Sequence, residues 1–291
     1  MFGLPQPSEE ANLDEETKDG LPVVSVSEGS KTLDALLRFC YPSTLAEDPS
    51  LDNFMFATEI LEATKRYSLD AIERIVCKAL FIPKILEVDS LACFAVARRA
   101  DLHEQCVLAA KYSLREPLIP ARFEGIQFIS STDLLVLLTY HKNCANAILA
   151  LQRDLVWIEN HYQRSSGIGW MFGCGSCRPF GPPPSCGSYS CSGKYRLFGT
   201  QVPSWWEDFM NETFVEIRDR LCAQTVEKGA QEAIRTLRAQ QNQCSRCSSA
   251  VSGGIQEFVT LFTNKMEEVT AKVSPIRLAS CQPLHQCRRF S

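Results

Sequence analysis

Apolar residues along the chain recur mostly at spacings of three and four, the period of a helix packed on one face. The exception is Leu21-Pro22-Val23-Val24-Ser25-Val26, a β-branched run bounded by Gly20 and by Ser27-Glu28-Gly29, which predicts one strand. Leu33, Leu36 and Leu37 set a helix over about 30–40, ended by Pro42. Phe56, Ile60, Ala63 and Tyr67 share one face of a helix over roughly 52–66. Ser68 is positioned to cap a third helix, whose core face is Leu69, Ile72, Val76 and Ala79. Helices over about 89–99 and 102–115 follow, the latter opened by Asp101 and Glu104 in a capping-box arrangement. A long helix over about 131–158 is entered through Ser131 and Thr132.

The pattern breaks over 165–204, where Gly, Pro and Cys replace the aliphatic residues, as in a flexible linker or a metal-stapled knuckle. Helical spacing returns with Trp206, Phe209, Thr213, Ile217 and Leu221, continues in a polar helix over about 226–241, and ends with Val251, Ile255, Phe258, Phe262, Met266, Val269 and Val273 before Pro275. The chain is thus expected to be mainly α with a single strand. A lone strand cannot satisfy its own backbone groups, so the region 21–45 should present an incomplete, exposed edge unless a partner supplies strands.

Composition narrows the function classes. The 291 residues are 45% hydrophobic and 22% charged, enough apolar content for a real core. The net charge of −4, with no clustered basic face, argues against a nucleic-acid footprint. The first 20 residues carry Glu9, Glu10, Asp14, Glu15, Glu16 and Asp19 against Lys18 and read as a loop. Neither a basic n-region nor an apolar h-region follows Met1, and the most apolar stretch, 133–151, contains Asp133, His141, Lys142, Asn143 and Asn146. A cytoplasmic or nuclear protein without a membrane span is expected. The sequon Asn211-Glu212-Thr213 then has no glycan to accept.

From Pro22 to Leu80 the pattern is more particular. Val23-Val24-Ser25-Val26 leads to Leu33-Asp34-Ala35-Leu36-Leu37-Arg38-Phe39-Cys40-Tyr41-Pro42, then to a helix pair containing Leu61-Glu62-Ala63-Thr64-Lys65-Arg66-Tyr67-Ser68-Leu69-Asp70-Ala71-Ile72-Glu73. This resembles the C-terminal half of a BTB/POZ domain, in which a strand, a helix ending in Phe-x-Tyr and a helical hairpin follow in this order. The continuation to 160 and the later Cys pairs flanking Trp205-Trp206 look like fungal BTB-domain proteins with a helical extension. The resemblance implies the C-terminal part of a BTB/POZ α/β domain, a BACK-like helical extension, a Cys-rich segment and a C-terminal helical hairpin. The corresponding division is 1–20, 21–82, 83–160, 161–204, 205–274 and a tail over 275–291. It also implies a non-catalytic adaptor or oligomerisation scaffold, whose protein partner is itself or a cullin-type ubiquitin ligase. The family's front half, with its Asp-Val strand and His-Lys segment, has no counterpart here, so impaired dimerisation is expected.

Candidate chemistry lies in the 14 cysteines, which a reducing compartment would keep as thiols or metal ligands. Cys174-Gly175-Ser176-Cys177 and Cys244-Ser245-Arg246-Cys247 are both C-x-x-C pairs; together they supply the four thiolates of a tetrahedral structural Zn²⁺. Cys186 and Cys191 are local rivals for the first pair, Cys281, His285 and Cys287 are further ones, and free thiols are the alternative. Cys40, Cys77, Cys93, Cys106, Cys144 and Cys222 fall on or beside apolar helix faces and read as small buried hydrophobes. Gly167-Ile168-Gly169 and Gly193-Lys194 lack the context of a phosphate loop. Trp205-Trp206 fits either core packing or a partner hot spot, and the last helix either core or coiled coil. A thiol or zinc enzyme needs an activated Cys or an open metal position, which no spacing supplies; a zinc-stabilised nucleic-acid or regulatory binder remains the alternative to an interaction module. No small-molecule substrate is implied.

Overall fold

The computed structural model describes residues 17–18, 21–41, 47–117, 119, 122–163, 165–172, 194–239 and 245–274. Among them are ten α-helices and two minimal antiparallel ladders, so the chain is mainly α. No described helix is long and apolar enough to cross a membrane.

The expected strand is shorter than its β-branched run suggests. Only Leu21–Pro22 (β2) forms a ladder, against Thr17–Lys18 (β1). α1 (Ser30–Cys40) follows and turns Thr32, Ala35 and Leu36 inward, while Leu37, expected in the core, is exposed. α2 (Phe54–Arg66) starts two residues later than the spacing suggested, because Asn53 caps it: its side chain accepts from the Phe56 N–H at 2.8 Å. Such a cap contributes about 1 kcal/mol.

The turns between α2 and α3 (Asp70–Leu80), and between α4 (Pro83–Arg99) and α5 (His103–Tyr112), correct the expected caps. Neither Ser68 nor Asp101 caps the helix after it. Both sit in the left-handed region, at φ 55° and 51°, and close the helix before them. The bonds match: Leu69 N–H reaches Thr64 O and Leu102 N–H reaches Ala97 O, each at 2.8 Å, while Ser68 and Asp101 donate to Lys65 and Arg98. This is the Schellman closure, with a leucine immediately after the left-handed residue in both turns. Leu80, rather than Ala79, completes the inner face of α3. α4 begins at Pro83, suited to a first helical turn, and changes direction at Asp89 (φ −129°, ψ 42°), where the sequence had placed its start.

The long helix expected over 131–158 is two. α6 (Ser131–Ala150) is capped by Ser130, whose hydroxyl accepts from the Asp133 N–H while the Asp133 carboxylate takes the Ser130 N–H. α7 (Val156–Tyr162) starts after a break stabilised by Trp157 Nε1 donating to Leu151 O at 3.1 Å and by Asp154 accepting from Val156 N–H at 3.0 Å. The break turns Trp157 and Ile158 into the core. A 3-10 segment (Ser165–Phe172), a hairpin of β3 (Arg196–Leu197) and β4 (Thr200–Gln201), α8 (Ser204–Ile217), α9 (Ala223–Ala239) and α10 (Ser245–Ala271) complete the chain.

α10 packs on α6, α9 and the 3-10 segment, and α8 on α6 and α9. Phe258 of α10 lies within ring contact of Trp157, Trp206, Phe209 and Phe262, at centroid distances of 5.8–6.1 Å. The buried apolar residues form one core from Ala35 to Met266. The C-terminal helices meet the N-terminal ones through an Arg98–Asp133 ion pair, a Leu221 N–H to Leu114 O bond at 2.8 Å, and His141 against Glu116 O at 3.2 Å.

Candidate interaction edge and cysteine sites

The N-terminal edge is a short non-helical segment that runs from β2 to the start of α1. After β2, Val23–Val26 runs on outside any helix or ladder, and no backbone group among the described residues pairs with Val23–Ser27. Val24 is 78% exposed, with Val23 and Val26 also open to solvent. On α1 Leu37 is exposed, as is Tyr41 just past its end, while the opposite face of the helix packs on α2 and α3. Unpaired N–H and C=O groups beside β-branched side chains are what an added strand requires.

The far end of the segment is clamped. Glu28 takes the Tyr67 hydroxyl and the Arg66 guanidinium, and Arg66 also donates to the Ser27 hydroxyl. The Tyr67 hydrogen bond, with Ser27 and Arg66 behind it, holds the Glu28 carboxyl below its ordinary range against the opposing effect of burial. The same bond raises Tyr67. The clamp joins residues 38 and 39 apart and leaves no trace in local periodicity, so sequence reasoning missed it.

The proposed zinc ligands fall largely elsewhere. Cys174, Cys177 and Cys244, and the rivals Cys186, Cys191, Cys281, His285 and Cys287, lie outside the described residues; Cys247 lies in the first turn of α10, with its side chain outside the description. Among the described residues, no three His, Cys, Asp or Glu side chains are grouped as metal ligands would be. The flanks of the two pairs do meet. A Cβ on Gly254 of α10 would lie 2.2 Å from the Trp170 ring, so the 3-10 segment rests on that helix. Trp205 Nε1 donates to Met171 O at 3.3 Å, and beyond the gap Tyr195 and Leu197 are buried in the same core. Cys247 is two helical turns from Gly254, about 10 Å. Cys174 is four residues from Trp170, a reach of up to about 14 Å. The 66 residues between Cys177 and Cys244 are therefore no obstacle in chain length.

The remaining cysteines mostly follow their helix faces. Cys93, Cys106 and Cys144 are buried and Cys77 and Cys222 half-buried, but Cys40 is exposed at the end of α1. Burial pushes the thiols of Cys77 and Cys144 up to about 11 and that of Cys93 up to about 12, so all three are protonated at neutral pH and poor nucleophiles.

The other motifs resolve into packing. Ile168 is buried between Gly167 and Gly169, and Tyr162 lies against Gly167. Trp205 and Trp206 are core residues, as are Val251, Ile255, Phe258, Phe262 and Met266 of the last helix. Asn211 sits within α8, accepting from Tyr195 Oη at 2.8 Å, and Thr213 is 1% exposed, so the sequon is closed to modification in the fold. The chain matches no family model, no curated protein and no solved structure.

Proposed function

We propose that this chain is a non-catalytic protein–protein interaction module of BTB/POZ type, acting as an adaptor or oligomerisation scaffold. The observation that carries the reading is the clamped segment Val23–Ser27, whose backbone pairs with no described residue and whose valines are exposed. Its natural occupant is an extended strand from a protein, the first candidate being the same segment of a second copy. Only about five residues are open for pairing, so self-association is weak and concentration-dependent. A cullin-type ubiquitin ligase is the second candidate partner.

The test is sedimentation velocity of the full chain over a wide concentration range, with and without a purified cullin N-terminal domain. Average mass should rise with concentration, or a complex with the cullin domain should form. Val24→Lys and Val26→Lys should each weaken it, because both place charge at exposed positions of the open segment. A chain that stays monomeric and ignores the cullin domain, or variants that associate like the parent, would sink the reading.

Within this reading the C-terminal helices carry one structural Zn²⁺ on Cys174, Cys177, Cys244 and Cys247. The supporting observation is the seat of Trp170 on Gly254, which brings the chain leading to the first pair alongside the helix bearing Cys247. With four protein ligands the ion would staple the fold and leave no open position for chemistry.

A further inference from the structure

We infer that His141 makes the joint between α6 and the N-terminal helices acid-sensitive, so that mild acid loosens this joint before the helices themselves unfold. The ring is 4% exposed and lies where three parts of the chain converge: α6, the turn after α5 and the segment after α8. Its Nε2 is 3.2 Å from Glu116 O. A carbonyl only accepts, so the neutral tautomer that makes this bond carries its proton on Nε2. Nδ1 is then a bare lone pair, buried and without a hydrogen-bond partner among the described residues. A proton arriving there would create a charge in a nearly dry site.

The Ser113 backbone and the Asp219 carboxylate offset the cost of that cation only in part. On α6 itself the neighbours are Tyr140 and Cys144, both buried, and Lys142, exposed. On the turn after α5, Arg115 pairs with Glu87 at 2.9 Å and stacks on Tyr112, while Glu116 contributes its backbone carbonyl. Past α8 stand Arg218, Asp219, Arg220 and Cys222; of these, Asp219 acts on the ring and favours a proton. Among the described residues, the charged group that acts on the ring is Asp219, which lies on neither α8 nor α10, the helices packed on α6. Burial dominates and pulls the imidazole below its ordinary value of 6.5, against the backbone of Glu116 and Ser113 and the Asp219 carboxylate. An opened joint binds the proton more readily than a closed one. The closed state is therefore fully favoured above about 6.5 and loses ground as pH falls below it. The Arg98–Asp133 pair at the same joint fails later. Burial raises Asp133, but the Ser130 backbone N–H and hydroxyl and Arg98 outweigh it and hold the acid low, so this link persists to below about pH 4.

The Leu221 amide, bonded to Leu114 O across the joint, is a direct reporter. Hydrogen exchange of the full chain, corrected for the intrinsic pH dependence of exchange, should show its protection falling between pH 7.5 and 5.5. If the closed-state ring stays neutral throughout, an open-state value of 6.5 sets the drop at about tenfold. In His141→Gln, whose amide can still donate to Glu116 O but cannot titrate, protection should be flat over that range. Flat protection in the parent, or an equal drop in His141→Gln, overturns the inference. Should that variant fail to fold, the His141 ring resonance of the parent decides: titration below 6.5 is expected, and a midpoint at or above 6.5 overturns it.

Discussion

Two adjacent glycines in α10 should respond differently to the same substitution. In a helix interior, Gly to Ala is worth about 1 kcal/mol, because alanine loses less backbone entropy on folding. Gly253 is exposed and a Cβ there meets nothing within 4 Å, so Gly253→Ala should stabilise by about that amount, near 2 °C in Tm. Gly254 is buried, and its Cβ would lie 2.2, 2.3 and 2.6 Å from Cδ2, Cγ and Cε2 of Trp170. Carbon atoms pack at about 3.5–4.0 Å, so more than an ångström must be opened. α10 is held by α6 and α9, and the 3-10 segment must therefore yield, straining the Trp205–Met171 bond and the Trp170–Trp205 contact at 6.2 Å. Overpacking of this kind costs about 1–3 kcal/mol, which cancels the propensity gain or turns it into a net loss of up to about 2 kcal/mol. Denaturant unfolding followed by tryptophan emission measures both variants. A double-mutant cycle isolates the clash: in a Trp170→Ala background, Gly254→Ala should become stabilising. If Gly254→Ala stabilises the parent as much as Gly253→Ala does, the seat of Trp170 on α10 is refuted.

Ser68→Gly and Asp101→Gly should each raise stability by about 1 kcal/mol in the same unfolding assay, since both residues hold a left-handed conformation that favours glycine; Ser68→Val should lower it. Mass-spectrometric mapping of alkylated cysteines, run beside metal analysis of protein purified without chelator, tests the cysteine assignments together. Cys40 should react first. Cys93, Cys106 and Cys144 should stay protected until unfolding, and raising the pH to 9 should not expose Cys93, whose thiol lies near 12. About one Zn per chain should be found and lost in Cys174→Ser or Cys244→Ser, whereas a metal-free chain with those cysteines freely alkylated would remove the staple.

Periodicity was a good guide wherever a helix buries one stripe. Ile60 and Ala63 on α2, Ile72 and Val76 on α3, and Ile255, Phe258, Phe262 and Met266 on α10 are all core, at the spacing that marked them. It failed at boundaries, where a single local choice is settled by distant contacts. Ser68 and Asp101 are good N-cap residue types, yet each closes the preceding helix, because the following leucine must reach back to the carbonyl five residues earlier. The run 131–158 has helical spacing throughout, yet breaks at 151–155 so that Trp157 can meet Phe258 and Phe262. A β-branched run reads as a strand, but a ladder needs a neighbour, and beyond Pro22 none of the described residues supplies one.

What the sequence determined by itself is therefore the helical class of the protein. Helical spacing makes it mainly α, and the bounded valine run marks a segment outside the helices. Tertiary structure alone decided the rest, because each feature depends on residues brought together from far apart. Glu28 meets Arg66 and Tyr67. His141 loses its water against the turn at Glu116. Trp170 settles on a glycine 84 residues later in the chain. Local patterning specifies which face of an element is apolar; only the packing of elements specifies which polar group is left without water, and which apolar face without a cover.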